Sequence, residues 1–414
     1  MNRYQEMEEA LIADARRWAQ AQLTGRLQAE ADACASVCPS TGEPLSNVRF
    51  RAMELRTVNG PVRLRVRHGY SRALKAWVCP ARIAWGLEKH QHITPALAAR
   101  ITHTVTETGS YERASAMCAV WGSPISDGAI RQLAQKLGMR MSELPLPAEK
   151  PVEREAPFSL VIMMDGWMAR NRGKGWGASP RRQVDDRVEW HEIKSAVIYR
   201  LHQRAENQSG RGVLTQKYVV ATPPGTCPVD FGAAVHAEAL RRGMGRAEAV
   251  YVVMDGAVWL WDLAADRFKD AIKTLDFHHA REHLQAVADL EHGVGTEANR
   301  DWMKRTTRDL AGGRQIRVLT HLEGLLSSEQ ERTVQEREDL EREVDYFRSH
   351  RDHLNYKERE RDGSPRGSGA VESLGKQLQA RLRGCGQFWG QHGLPPLLRL
   401  CVAVKNKDAH LLWN

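Results

Sequence analysis

Phe158-Ser-Leu-Val-Ile-Met-Met-Asp165-Gly166 is the stretch from which the rest of the chain can be read. Apolar residues run almost unbroken to Met164 and an acid closes them, as in a central strand that delivers a carboxylate to one edge of a sheet. Ala249-Val-Tyr-Val-Val-Met-Asp255-Gly256 repeats the design, again closed by Met-Asp-Gly. Between the two, Val188 to His202 and Lys217 to Thr222 read as further strands and Phe231 to Arg242 as a helix. Asp165 and Asp255 therefore fall on a first and a later strand of one α/β sheet.

A third acid follows in Gly363-Ser-Pro-Arg-Gly-Ser-Gly-Ala-Val-Glu372-Ser, where a Gly/Ser loop opens a helix with Glu372 in its first turn. Two strand-end aspartates and a helix glutamate supply the hard oxygen ligands that Mg²⁺ prefers. Two such ions about 3.5 to 4 Å apart stabilise both the entering and the leaving oxygen of phosphoryl transfer, with water or a DNA 3′-hydroxyl as nucleophile. A Ser/His/Asp hydrolase has little support, because GSGAVES is not the GxSxG nucleophile elbow.

Upstream, residues 3 to 30 carry Met7, Leu11, Ile12, Ala15 and Trp18 at helical spacing, an amphipathic helix suited to dimerisation or to packing. Phe50 to Thr57 and Val62 to His68 alternate as strands and are joined through the turn signal Asn59-Gly60. Val62, Leu64 and Val66 face one way; Arg63, Arg65 and Arg67 face the other, a row suited to phosphate or base contact or to protecting an edge strand. Cys34, Cys38 and Cys79 resemble three-quarters of a zinc ribbon, but Arg82 stands where a fourth ligand is expected; buried apolar cysteines are the alternative. Pro95 to Glu107, Tyr111 to Trp121 and Ser126 to Leu137 read as three helices, a helix-turn-helix or a plain helical hairpin. In the former, the last helix presents Asp127, Arg131, Gln132 and Lys136. Four prolines within 143–157 mark a linker.

The 414 residues leave room for two or three domains and rule out a disulfide-stapled miniprotein. No window approaches the ~18 consecutive apolar residues that span a bilayer, so no membrane role is expected. Seven scattered Cys and an acidic N-terminus unlike a signal peptide point to a reducing cytoplasm. The formal charge of +9 is uneven: nine Lys/Arg against Glu54 alone from Arg49 to Arg82, and eight against Asp362 and Glu372 from Arg361 to Lys407. Such stretches favour polyanionic partners, although solvated basic surfaces are common.

MMDGW, VEWHEIK, MDGAVWLW, LDFHHAREHL and GSGAVES, in that order, resemble the ISKra-type DDE transposases of bacterial insertion sequences. The resemblance spans nearly the whole chain and implies an RNase H-like catalytic domain. In it, Asp165, Asp255 and Glu372 are the metal-binding triad, and a helical insertion follows Asp255. Asp276-Phe-His-His279 resembles the D/C-x-x-H signature of related transposases, placing His279 near the active-site edge with Arg281 able to bind phosphate. The competing reading of Asp276 to His279 is a plain helix start. Arg366, Lys376, Arg381 and Arg383 are expected contacts to the element end, or an ordinary basic surface.

The expected organisation is a helix over 1–30, a degraded zinc-ribbon-like basic hairpin over 31–92, helices over 93–142, a linker over 143–157 and the catalytic domain over 158–414, interrupted over 290–360. The expected function is binding of insertion-sequence ends, then metal-dependent cleavage and strand transfer into target double-stranded DNA. Two Mg²⁺ ions, replaceable by Mn²⁺, a homo-oligomer and a place in the bacterial cytoplasm or nucleoid go with it. A nuclease without strand transfer and a non-catalytic DNA-binding regulator are the alternatives.

Overall fold

In the computed structural model, residues 2–150, 155–177, 187–206, 208, 212–328 and 331–413 are described. Their contacts divide the chain into Met1–Ser142 with Ala409–Asn414, and Glu143–Asp408. Among the described residues no helix is long and apolar enough to cross a membrane.

The first unit begins with α1 (Arg3–Ala33), followed by β1 (Ser46–Thr57), β2 (Gly60–Ser71), β3 (Ala76–Val78) and α2 (Pro80–Ala84). Alternation sets the sheet's faces: Val62, Leu64 and Val66 are buried while Arg63 and Arg65 are exposed. The apolar face packs on Leu23, Leu27 and Ala31 of α1. The hairpin turns one residue earlier than Asn59-Gly60 suggests, because Thr57 pairs with Gly60 and Gly60 takes the left-handed position at φ 102°. The packing expected of α1 is realised only in its second half, since Met7, Leu11, Ile12 and Trp18 are exposed.

Three helices complete this unit: α3 (Pro95–Glu107), α4 (Tyr111–Val120) and α5 (Asp127–Glu143). Ser126 begins α5 by accepting a hydrogen bond from the Ala129 N–H at 3.3 Å. Helix α5 runs six residues beyond the expected Leu137, because Leu137, Gly138 and Met141 still have a core to enter.

The second unit contains β4 (Ser159–Arg172), β5 (Val188–Arg200), β6 (Arg204–Glu206), β7 (Gly212–Leu214), β8 (Tyr218–Ala221), α6 (Pro228–Arg241), β9 (Ala249–Met254), α7 (Val258–Arg267) and β10 (Ile272–Leu275). Then come α8 (Phe277–His292), α9 (Glu297–Ala311), α10 (Gln315–Leu326), α11 (Val334–Ser349), α12 (Tyr356–Arg361), α13 (Gly369–Leu382) and α14 (Leu394–Lys405). The five-stranded sheet has the order β10-β9-β4-β5-β8. Strand β4 runs antiparallel to β5 and parallel to β9, β5 antiparallel to β8, and β9 parallel to β10.

Leu160, Ile162 and Met164 enter a core with Phe231 and Val235 of α6 and Leu260 and Leu263 of α7. The opposite face is crossed by α13. Helices α8 to α12 enclose a second core, in which Leu284, Trp302, Leu310, Leu322, Leu340, Val344 and Phe347 meet. Helix α11 thus spends its apolar face inside the protein. The Pro-rich segment is not a free tether over its whole length: Glu155 pairs with Arg200 at 2.8 Å and with Arg246 at 3.1 Å. Pro151, one of its four prolines, lies outside the described residues.

Candidate active site

Strand register brings the two aspartates together. Met164 of β4 is paired with Met254 of the parallel strand β9, so Asp165 and Asp255 follow at the same level on neighbouring strands, which lie about 5 Å apart. Because Met164 enters the α6–α7 core, Asp165 turns to the other face of β4, while Asp255 follows the last residue of β9. Strand β4 does not end at its acid, as the apolar run suggests, but continues to Arg172 paired with β5. The sheet edge at Asp165 exists because β9 stops at Met254.

Helix α13 supplies the third acid. It lies over the Asp165 face, where a Cβ on Gly375 would come within 3.7 Å of the Trp167 ring. Glu372 occupies the first turn of this helix and accepts a hydrogen bond from the Ser368 hydroxyl at 3.2 Å. Asp255 accepts from the Ala257 N–H at 2.9 Å, which starts α7, and Asp165 accepts from the Gly166 N–H at 2.7 Å.

Electrostatics link the group. Burial raises the Asp165 pKa to about 6, with repulsion from Asp255 and Glu372 adding to it; the Gly166 N–H and His279 oppose the rise. His279 also faces Glu282 at 3.4 Å. Asp276 is fully buried and caps α8, accepting from the N–H groups of His278 at 2.6 Å and His279 at 2.9 Å. Its second oxygen accepts from the Ser368 N–H and so ties α8 to the loop before Glu372. Arg281 is exposed.

One neighbour escapes sequence reasoning. Tyr346 of α11 stacks on His283 with centroids 3.5 Å apart and presses on Gly256, where a Cβ would stand 2.1 Å from its ring. Burial, then Asp255 and Asp276, push the Tyr346 pKa up. The only sequence signal is the glycine after Asp255, whose reason lies far along the chain.

No family model matches this chain, and no curated protein matches it. Among solved structures, a chain of the Drosophila P element transposase strand transfer complex is similar at TM-score 0.37 and 11% identity, covering 80% of this chain and 96% of that one. At that distance the likeness carries no argument about this chain.

The other expected contacts divide. Arg63 is exposed and pairs with Glu54 at 3.2 Å; Arg65 lies over the Phe50 ring at 4.3 Å. Arg67 instead donates to the Asp32 carbonyl at 2.8 Å and to that of Cys34, so it ties β2 to the end of α1. Arg131, Lys376 and Arg383 are exposed and Arg366 is half-buried. Arg381 corrects an expectation: it is 3% exposed with its guanidinium over Trp389, so it cannot present itself to a DNA end.

Trp302 is buried, and Trp261 stacks on His353 while donating to the Asp255 carbonyl, so both serve packing. Cys38 packs with Leu45 and Val78, whereas Cys34 and Cys79 belong to the cluster beneath β2. Among the described residues no group of three or more His, Cys, Asp or Glu is arranged to hold a metal ion. Asp165, Asp255 and Glu372 match Mg²⁺ in donor type, as hard carboxylate oxygens, but they are not drawn together into a ligand set here.

Proposed function

We propose that this chain is a DDE transposase of the ISKra type, with an RNase H-like catalytic domain that cleaves DNA at the ends of an insertion sequence and joins them to target DNA. The observation that carries the reading is that Asp165 and Asp255 each follow the Met164–Met254 pair of parallel neighbours, with Glu372 close enough to act on Asp165. The sheet order, with one antiparallel pair of strands on one side of β4 and two parallel strands on the other, is in keeping with it.

Asp165, Asp255 and Glu372 would hold two Mg²⁺ ions, or Mn²⁺ in their place. When bound, the metal ions supply charge neutralisation at the entering and leaving oxygens. The chain's own residues do the rest. Asp276 fixes α8 against the Ser368 loop and so sets the height of Glu372. His279 brings positive charge towards Asp165 when protonated, favouring its carboxylate form. Arg63, Arg65 and Arg131 offer the first unit's contacts to double-stranded DNA, and Arg366, Lys376 and Arg383 those of the second. The exposed row Met7, Leu11, Ile12 and Trp18 is a surface on which a homo-oligomer would form.

The test is incubation of the protein with DNA bearing the terminal sequences that flank its own gene, with Mg²⁺ or Mn²⁺, against Glu372→Gln. Metal-dependent joined products that vanish in the variant are expected. Nicks without joining would make the chain a nuclease. Binding without chemistry in either protein would favour a regulator and sink the transposase reading.

A further inference from the structure

Behind the loop that leads into α13 lies a cavity of about 880 Å³, lined by Gly363 to Gly367, by Gly369 and Ala370 at the start of α13, and by Arg204, Lys217, Arg359 and Arg366. Glu360 is the acid on its wall, so cations outnumber acids four to one. Arg359 is the most buried of them. It is 6% exposed; its Nη2 is held by Asp362 at 3.2 Å and its guanidinium lies over Tyr251 at 5.0 Å. Its Nε and Nη1 are buried without hydrogen-bond partners. Both atoms are closed off from solvent, so Arg359 lends the cavity positive charge from behind its wall, partly offset by Asp362, rather than donors.

The surrounding backbone has the same bias. Helix α13 is 14 residues long and has no side-chain cap, and Gly369 and Ala370 at its start line the cavity. N–H groups at such an end favour anions. Gly363 takes φ 69°, and Gly367 approaches so closely that a Cβ would meet the His278 ring at 3.2 Å. Arg366 is braced over Phe277 at 5.6 Å. Burial, and then the nearby Lys405, lower the pKa of Lys217.

We propose that this cavity binds a phosphate ester, received as a backbone phosphate of a DNA strand. Only the source of the phosphate rests on the transposase reading. The cavity shares the first turn of α13 with Glu372, so a strand anchored there would run beside the acids. A nucleoside triphosphate carries the same chemistry and is the other source.

The experiment measures anisotropy of a short fluorescein-labelled single strand in EDTA, where no cleavage can occur, with the full chain. Wild type is compared with Lys217→Gln and Arg366→Gln. Arg351→Gln, at an arginine 71% exposed in its side chain, controls for loss of charge. Unfolding curves verify that each variant is folded. Arg359→Gln is avoided because it would also break the Asp362 pair.

Each cavity variant is expected to weaken strand binding about fivefold or more, while the control stays within about twofold. Competition by adenosine triphosphate that is lost in both cavity variants, with strand binding unchanged, would keep the phosphate site and overturn the strand as its source. Strand and triphosphate binding as in wild type for both variants would overturn the site altogether. Neither result depends on whether the protein joins DNA.

Discussion

Asp165 is raised from 3.8 to about 6 in the folded chain, mainly by burial. The folded state therefore holds this proton more tightly than the unfolded state. The resulting loss of stability is absent below about pH 4, grows as pH rises to about 6 and is full above it. Two pKa units correspond to about 3 kcal/mol as an upper figure. Asp165→Asn removes the charge, so in metal-free buffer it should melt higher than wild type at pH 8 and together with it near pH 4. Equal melting at pH 8 would show that burial of this carboxylate is less costly than the geometry implies. In the cleavage assay the same substitution should abolish activity.

At the scale of elements, the contact between α11 and the strand β9 edge is the one that sequence spacing does not announce. Gly256 leaves the space that Tyr346 fills, and a methyl group there overlaps the ring. Gly256→Ala should destabilise the chain by about 1–3 kcal/mol, the usual range for overpacking. Tyr346→Leu in that background should recover part of the loss, read from denaturant midpoints as a double-mutant cycle. Additive effects would break the claim that the two residues touch. The edge strand β8 is treated differently: Asn406 accepts from the Val219 N–H at 2.7 Å and donates to its carbonyl at 2.9 Å, which satisfies a backbone that another strand would otherwise seek.

For the whole molecule, charge placement matters more than the sum of +9. If the hairpin face of the first unit meets DNA phosphates, the double variant Arg63→Gln, Arg65→Gln should lower the slope of log Kd against log salt by about 2, one per lost contact. An unchanged slope would assign those arginines to edge protection. Leu11 and Trp18 of α1 are 70% and 69% exposed, so Leu11→Glu and Trp18→Glu should move monomer stability by no more than about 0.5 kcal/mol. Light scattering on the same variants reads whether that row joins copies of the chain; an unchanged mass from an oligomeric wild type would exclude it.

Local pattern was enough to place the elements that carry the three acids. Two apolar runs closed by Met-Asp-Gly, a Gly/Ser loop opening a helix at Glu372, and the alternating arginines of β2 are all short-range signals, written in period and in turn residues. Their meeting was decided only in three dimensions. The level of Asp165 with Asp255 depends on the β4–β9 register, the edge depends on where β9 stops, and the fate of Arg67, Arg381 and Tyr346 depends on neighbours distant along the chain. Side-chain burial and hydrogen-bond satisfaction are set by what packs opposite a residue, and that partner is not encoded within any one stretch.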